Sequence, residues 1–197
     1  MTGGAGTTAL ILASASPRRL DLLRQIGIVP AAVDPAHIDE SELPRELPAA
    51  YAQRIALAKL EEVAKRHGRC TFILAADTVV ACGRRILPKT EDETSASACL
   101  ALLSGRRHRV LGGIALRGAD GRTLTRLVTT TVAFKRLSSA EIRRYLDSGE
   151  WHGKAGGYAV QGRAAAFVSY IGGSYSNVVG LSLYDVTAML GGIGFEF

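Results

Sequence analysis

Apolar positions first gather at Thr8-Ala-Leu-Ile-Leu-Ala13, a run too short for a helix, which predicts a short buried strand. Ser16 and Pro17 then predict a helix start, the serine as N-cap and the proline at the first helical position. Leu20, Leu22, Leu23 and Ile26 give that helix its apolar side, and Gly27 ends it. A second strand is expected over 28–33. A loop follows over 34–48, where prolines and carboxylates break any period. Tyr51, Ile55, Ala58, Leu60 and Val63 recur at helical spacing and predict a helix over 49–66, closed by Gly68.

Residues 71–82 read differently. They are apolar on both faces apart from Asp77 and two threonines, the pattern of a central strand. Thr90 and Glu93 have the spacing of a capping box ahead of a helix through Leu103. Ser138 and Glu141 repeat that spacing before a helix ending at Gly149. Strands over 108–117 and 123–136 flank Gly118-Ala-Asp-Gly121 as a hairpin. A Gly-rich loop over 153–162 leads to a strand at 166–171, and Ser182 with Asp185 caps a last helix ending at Gly191. Strands thus alternate with helices around one long hairpin. The fold class is α/β, with a mixed sheet flanked by helices rather than a uniformly parallel one. Residues 1–7 read as a flexible N-terminal arm and 8–197 as a single domain with no dividing linker.

The chain has 197 residues, 47% hydrophobic and 21% charged, which supports a sizeable core and excludes disorder. No apolar stretch approaches the ~20 residues of a membrane span, so no membrane partner is expected. Met1 to Thr8 lacks the basic and apolar regions of a secretory signal. A net charge of +6 suits anionic partners, although solubility is the plainer account of charge alone. No run of five basic residues occurs and no aromatics interleave with them, so nucleic acid is not an expected partner. Cys70, Cys82 and Cys99 are odd in number and without C-x-x-C spacing, and the four histidines are scattered. A zinc site and a disulfide frame both fail on that count, and a reducing cytoplasm is the expected compartment.

Chemistry concentrates in a few places. Ser14-Ala-Ser-Pro-Arg18-Arg19 joins a strand to a helix N-terminus, where free N–H groups, hydroxyls and guanidiniums suit phosphate oxygens; the plain alternative is an N-cap with two surface arginines. Asp77 is a carboxylate inside an apolar strand. Burial there is costly unless the group is paired, hydrogen-bonded or metal-bound, so it reads as a base or metal ligand ahead of a structural aspartate. Glu40 in an acidic loop and Lys59 in mid-helix are, by themselves, ordinary solvated charges. Four glycines and a lysine within 153–162 exceed what a turn needs and let backbone approach a ligand. Neither G-x-x-x-x-G-K-[ST] nor a G-x-G-x-x-G after the first strand occurs, so a P-loop or dinucleotide fold is unsupported.

Taken together, Leu12-Ala-Ser-Ala-Ser-Pro-Arg-Arg19, Ala76-Asp-Thr-Val79, Leu103-Ser-Gly105, Lys154-Ala-Gly156 through Gln161-Gly162, and Gly173-Ser-Tyr-Ser-Asn-Val-Val-Gly180 resemble the Maf family of nucleoside triphosphate pyrophosphatases in order and spacing. The lysine, aromatic and glutamine of the late loop are similar to the branch acting on dTTP and UTP. The resemblance implies two lobes around an elongated mixed sheet with a cleft between them, and a homodimer. It implies hydrolysis of a nucleoside triphosphate to the monophosphate and pyrophosphate with a divalent cation, Mg²⁺ or Mn²⁺. A nucleotide-responsive role in cell-division control is the alternative the family also carries. By resemblance Asp77 is the proton acceptor, Arg18, Thr78 and Gln161 tune substrate choice, and Glu40, Lys59 and Lys89 line the catalytic cleft. On that reading Asp77 and Glu40 share the metal. Ser14, Arg18, Arg19 and Lys154 join Thr78 and Gln161 in binding substrate. Two positions depart from the family pattern: Lys89-Thr90 stands for Lys-Pro, and Gly153 for an aspartate before Lys154.

Overall fold

The computed structural model describes residues 9–68 and 71–196; the expected arm over 1–7 and Cys70 lie outside the described residues. The elements run β1 (Leu10–Ala13), α1 (Pro17–Gln25), β2 (Ala32–Val33), α2 (Pro48–Ala64), β3 (Phe72–Cys82), β4 (Arg85–Leu87), β5 (Lys89–Thr90), α3 (Glu93–Leu103), β6 (Arg107–Arg117), β7 (Thr123–Phe134), α4 (Ser139–Leu146), β8 (Lys154–Ala155), a 3-10 helix (Arg163–Phe167), β9 (Val168–Gly172), α5 (Tyr175–Val179) and α6 (Leu183–Gly192). A seven-stranded sheet has the order β2-β1-β3-β6-β7-β9, with β4 also on β3, and β5 pairs β8 separately. β1 runs parallel to β2 and β3, and the other pairs are antiparallel. The mixed α/β expectation holds.

β3 shows how a period of two builds a site. Its even-numbered side chains Phe72, Leu74 and Ala76 join a cluster with Leu23, Met189 and Leu190 of α1 and α6. Val80, two residues beyond Thr78, joins another with Leu100, Leu103 and Tyr145 of α3 and α4. On the opposite face Ile73 and Ala75 pack with Ala56 and Leu60 of α2, and Val79 and Ala81 pack with Ala52. Asp77 and Thr78 therefore fall between paired apolar clusters, one on each face of the sheet.

The edge of β3 opens at the same residues. β6 pairs with it continuously from Ile73 to Ala81. On the other edge β1 covers Phe72–Ala75 and β4 covers Val80–Cys82, leaving 76–79 without a strand neighbour. Gly83, at φ 62, allows the two-residue turn that folds β4 back. Two glycines of β6 set the layers close. A Cβ at Gly113, the residue opposite Asp77, would lie 2.0 Å from the Ala52 carbonyl oxygen; one at Gly112 would lie 2.0 Å from Asn177 Oδ1. Helix α2 can approach the sheet there because a methyl group is absent.

Several local expectations change. Asp92, not Thr90, caps α3, its side chain accepting from the Ser95 N–H, while Thr90 is a fully buried strand residue. Only Ala32–Val33 of the expected 28–33 strand pairs. The region expected as strand 166–171 begins as a 3-10 helix, with β9 from Val168. Ser16 and Ser182 stand at N-cap positions without side-chain caps; the Ser182 hydroxyl donates to Asp185 Oδ2 instead, at 2.6 Å. The Ser138–Glu141 capping box forms as expected. Cys82 and Cys99 are free thiols, and Cys99 is buried.

Candidate active site

The gap in the β3 edge opens into a cavity of about 320 Å³. Its walls contain all ten residues singled out above: Ser14, Arg18, Arg19, Glu40, Lys59, Asp77, Thr78, Lys89, Lys154 and Gln161. Elements far apart in sequence supply them. The β1–α1 junction gives the first three, the 34–47 loop gives Glu40, and α2 gives Lys59. The centre of β3 gives Asp77 and Thr78, and the small β5–β8 sheet with its loop gives the rest.

On the α2 face, Lys59 is buried and its Nζ bridges two carboxylates, Asp77 Oδ1 at 2.8 Å and Glu40 Oε1 at 2.9 Å. Lys89 Nζ reaches the other Glu40 oxygen at 2.6 Å. Glu40 thus links a helix lysine to a strand lysine across the cavity. Burial pushes its carboxyl upward, but hydrogen bonds from Lys89 and Lys59 outweigh that and hold it below the ordinary carboxylate range. Asp77 Oδ2 makes no hydrogen bond among the described residues, which leaves an acceptor on a buried carboxylate beside the cavity. The loop carrying Glu40 is fastened to α2 by Tyr51, whose hydroxyl donates to the Glu40 carbonyl at 2.7 Å. Arg54 grips Glu46 through two 2.7 Å bonds and donates to the Ser41 carbonyl. Burial, with Asp77 and Glu40 adding to it, raises the Tyr51 hydroxyl to about 12, so it stays a donor.

On the opposite face, Arg19 is buried. Its guanidinium donates to the Gly180 carbonyl at 2.9 Å, Ser14 Oγ at 2.9 Å and Thr78 Oγ1 at 3.1 Å, and the Thr78 hydroxyl donates to the same Gly180 carbonyl. Burial lowers the Arg19 pKa, with nearby Asp77 acting against that. Most of its fork is committed to structure. Arg18 is half-buried, holds the Val179 carbonyl through Nε alone at 3.3 Å and keeps both terminal nitrogens free of hydrogen bonds among the described residues.

The glycine-rich wall is different again. Among the described residues Lys154 Nζ donates only to the His152 carbonyl, and burial followed by repulsion from Arg18 lowers its pKa. Gln161 is exposed, and its amide makes no hydrogen bond among the described residues. Beneath this wall Tyr158 is buried against His108, with 2.8 Å between its hydroxyl and Nε2.

Tyr51, Arg54, Thr90 and the Gly180 carbonyl were not singled out as site residues. Helical spacing marked Tyr51 only as apolar, and Gly180 appeared only as the end of a motif. Among the described residues no group of three or more His, Cys, Asp or Glu side chains could hold a metal ion. Asp77 and Glu40 are hard oxygen donors on one cavity, which suits a cation also held by phosphate oxygens.

The family model for Maf-like proteins matches residues 9–193. The chain is 65% identical over 186 residues to a dTTP/UTP pyrophosphatase of Paramagnetospirillum magneticum, covering 94% of this chain and 97% of that one. It is 58% identical to a dTTP/UTP pyrophosphatase of Caulobacter vibrioides, covering 95% and 97%. A solved HAM1 protein from Coxiella burnetii shares the fold, with a TM-score of 0.51 and 15% identity over 93% of this chain and 98% of that one.

Proposed function

This chain belongs to the Maf family, and from that premise we propose that it hydrolyses dTTP and UTP to the monophosphate and pyrophosphate. The observation that carries the reading is one cavity in which a buried carboxylate with a free oxygen, Asp77 Oδ2, faces a surround of arginines and lysines. Curated relatives bearing the name dTTP/UTP pyrophosphatase at 65% and 58% identity support the substrate class.

Hydrolysis at the α-phosphorus needs an oriented water, a group to take its proton, and cations that neutralise the leaving pyrophosphate. Asp77 Oδ2 accepts the proton of the attacking water. Lys59, bonded to Oδ1 at 2.8 Å, fixes the orientation of the carboxylate. The water oxygen bonds to the α-phosphorus as the bond from that phosphorus to the bridging oxygen breaks. Arg18, Lys154 and the uncommitted N–H groups of Arg19 grip phosphate oxygens, aided by the N-terminus of α1. Lys89 offsets charge growing on the departing pyrophosphate. Asp77 and Glu40 are the residues that would hold a Mg²⁺ or Mn²⁺ together with substrate phosphates, and the ion supplies charge neutralisation when bound.

Gln161 reads the base. Its free amide offers a donor and an acceptor to the mixed edge of uracil or thymine. The apolar clusters on either side of Asp77 and Thr78 support a division into two lobes. No helix among the described residues is long and apolar enough to cross a membrane. We further propose a cytoplasmic compartment and a homodimer, the second of which light scattering on the purified chain tests. The test of function is incubation with dTTP, UTP, dCTP and GTP in the presence of Mg²⁺. Release of dTMP, UMP and pyrophosphate, preferentially from dTTP and UTP, is expected. Binding without any pyrophosphate release sinks the reading.

A further inference from the structure

The Gln161 amide makes no hydrogen bond among the described residues, so its backbone must place it. The backbone that carries it is intrinsically loose: Gly153, Gly156 and Gly157 have φ of 65, 68 and 70, and glycine loses more conformational freedom on ordering than any other residue. Two side chains outside the catalytic wall hold the ends of this segment. At its start Thr90 is fully buried, and its hydroxyl donates to the Trp151 carbonyl at 2.7 Å, with the Lys154 carbonyl 3.3 Å away. The Thr90 carbonyl in turn accepts from the Gly153 N–H at 2.8 Å. At the far end Glu150 Oε2 accepts from the Arg163 N–H at 2.7 Å. That carboxylate lies so near Gly162 that a Cβ there would stand 2.1 Å from Oε2. Gln161 is the residue immediately before this contact.

We propose that Thr90 and Glu150 are specificity-determining positioning residues: they clamp the two ends of the 151–163 segment so that Gln161 meets the base and Lys154 the phosphates, without touching the substrate themselves. The proposal rests on the pyrophosphatase reading. Thr90 fits the role because its hydroxyl, unlike a methyl group, can hold a backbone carbonyl from a buried position. Glu150 fits because its carboxylate can accept from the N–H that follows the Gly162 turn.

The variants are Thr90→Val, which keeps shape and removes the hydroxyl, Thr90→Ser, which restores it, and Glu150→Ala. The kinetic readout is the ratio of kcat/KM on dTTP to that on GTP. Loss of one such hydrogen bond is worth ~1 kcal/mol, so Thr90→Val is expected to lower the ratio ~5-fold, chiefly through KM on dTTP. Thr90→Ser is expected to stay within ~2-fold of wild type, because its hydroxyl keeps the same bond. Glu150→Ala lowers the ratio as Thr90→Val does, and as a half-buried side chain it leaves the core untouched. Trp151, the chain's one tryptophan, gives a readout independent of activity: acrylamide quenching rises in Thr90→Val and Glu150→Ala and not in Thr90→Ser. An active wild type whose ratio is unchanged by Thr90→Val and Glu150→Ala overturns the positioning, even if quenching rises. Equal losses in Thr90→Ser and Thr90→Val overturn it too. A wild type that releases no pyrophosphate from dTTP overturns the activity reading itself.

Discussion

Two of the cavity's walls are built on opposite economies of interaction. The β3–α2 wall is largely paired: Lys59 holds Asp77 Oδ1 and Glu40, Glu40 holds Lys89 across the cavity, and Asp77 and Lys59 are buried, while Asp77 Oδ2 stays open among the described residues. The glycine-rich wall is left open: among the described residues the Lys154 side chain holds only a neighbouring carbonyl, and the Gln161 amide holds nothing. A wall whose charges are fixed beforehand needs no reorganisation when charge develops in the transition state. A wall with spare donors and acceptors can discriminate, because a mismatched ligand group leaves them unpaired on burial. On the proposed reading, chemistry belongs to the paired side and choice of substrate to the unpaired one.

Asp77→Asn breaks the comparison most severely. The amide keeps the shape but neither takes a proton nor holds the Lys59 charge. Turnover is expected to fall ~10²–10⁴-fold, the range for losing a general base. Pyrophosphate release and circular dichroism measured on the same sample check that activity falls while the fold remains. A rate above half of wild type removes Asp77 from catalysis.

Next comes a matched pair of neutralisations. Lys59→Met leaves Asp77 a buried charge without its partner, and the expected loss is ~3–5 kcal/mol of unfolding free energy in urea. Lys154→Met on the open wall is expected to change stability by less than ~0.5 kcal/mol while raising KM for every triphosphate. Similar urea midpoints for the two variants would erase the distinction between the walls.

Gln161→Glu sharpens the open side alone. A carboxylate accepts but cannot donate, so it repels O4 of uracil or thymine and favours the donor edge of guanine. Mismatched buried polar groups cost ~1–3 kcal/mol, giving a shift of roughly 10–100-fold in the dTTP to GTP efficiency ratio. A ratio that does not move means that Gln161 does not read the base.

A pH response is expected beneath the glycine-rich wall. Burial pushes His108, which faces Tyr158, Phe134 and the Arg106 backbone, down to about 4 from an ordinary 6.5. The native state therefore refuses a proton that the unfolded chain accepts below 6.5. The contribution is fully present above pH 6.5 and is lost as pH falls toward 4, by about 2 kcal/mol between pH 7 and 5. Urea titrations of wild type and His108→Gln across that range check it: the slope should flatten in the variant. Parallel slopes would show that His108 does not set it.

What could be read from the chain follows the range of the interactions involved. The Ser138–Glu141 box, the central strand and its odd carboxylate are local patterns, and they appear where the spacing puts them. Thr90 and Glu93 have the same spacing as that box, yet the Thr90 hydroxyl is taken by carbonyls 61 and 64 residues away, so Asp92 caps the helix instead. Propensity cannot register a competitor at that distance. Val168 to Gly172 form a strand, but Arg163 to Phe167 wind into a 3-10 turn where Glu150 holds the Arg163 N–H. Glu40 sits in a loop with no period, and only the return of Lys59 and Lys89 from two other elements reveals its place. The cavity's residue types were legible because motifs carry them. Their division into a paired wall and an unpaired wall was not, because pairing depends on which face each element turns inward.

The interrupted edge of β3 also bears on how the molecule behaves in a crowd. A free strand edge invites a foreign strand to add to the sheet, with aggregation as the usual result. Here the open stretch is 76–79, bounded by β1 on one side and β4 on the other. At ~3.3 Å per residue it measures about 13 Å, room for a chain of phosphates but too short, and stoppered at both ends, for another polypeptide to zip onto. The break in β3 therefore offers no foothold for a foreign strand.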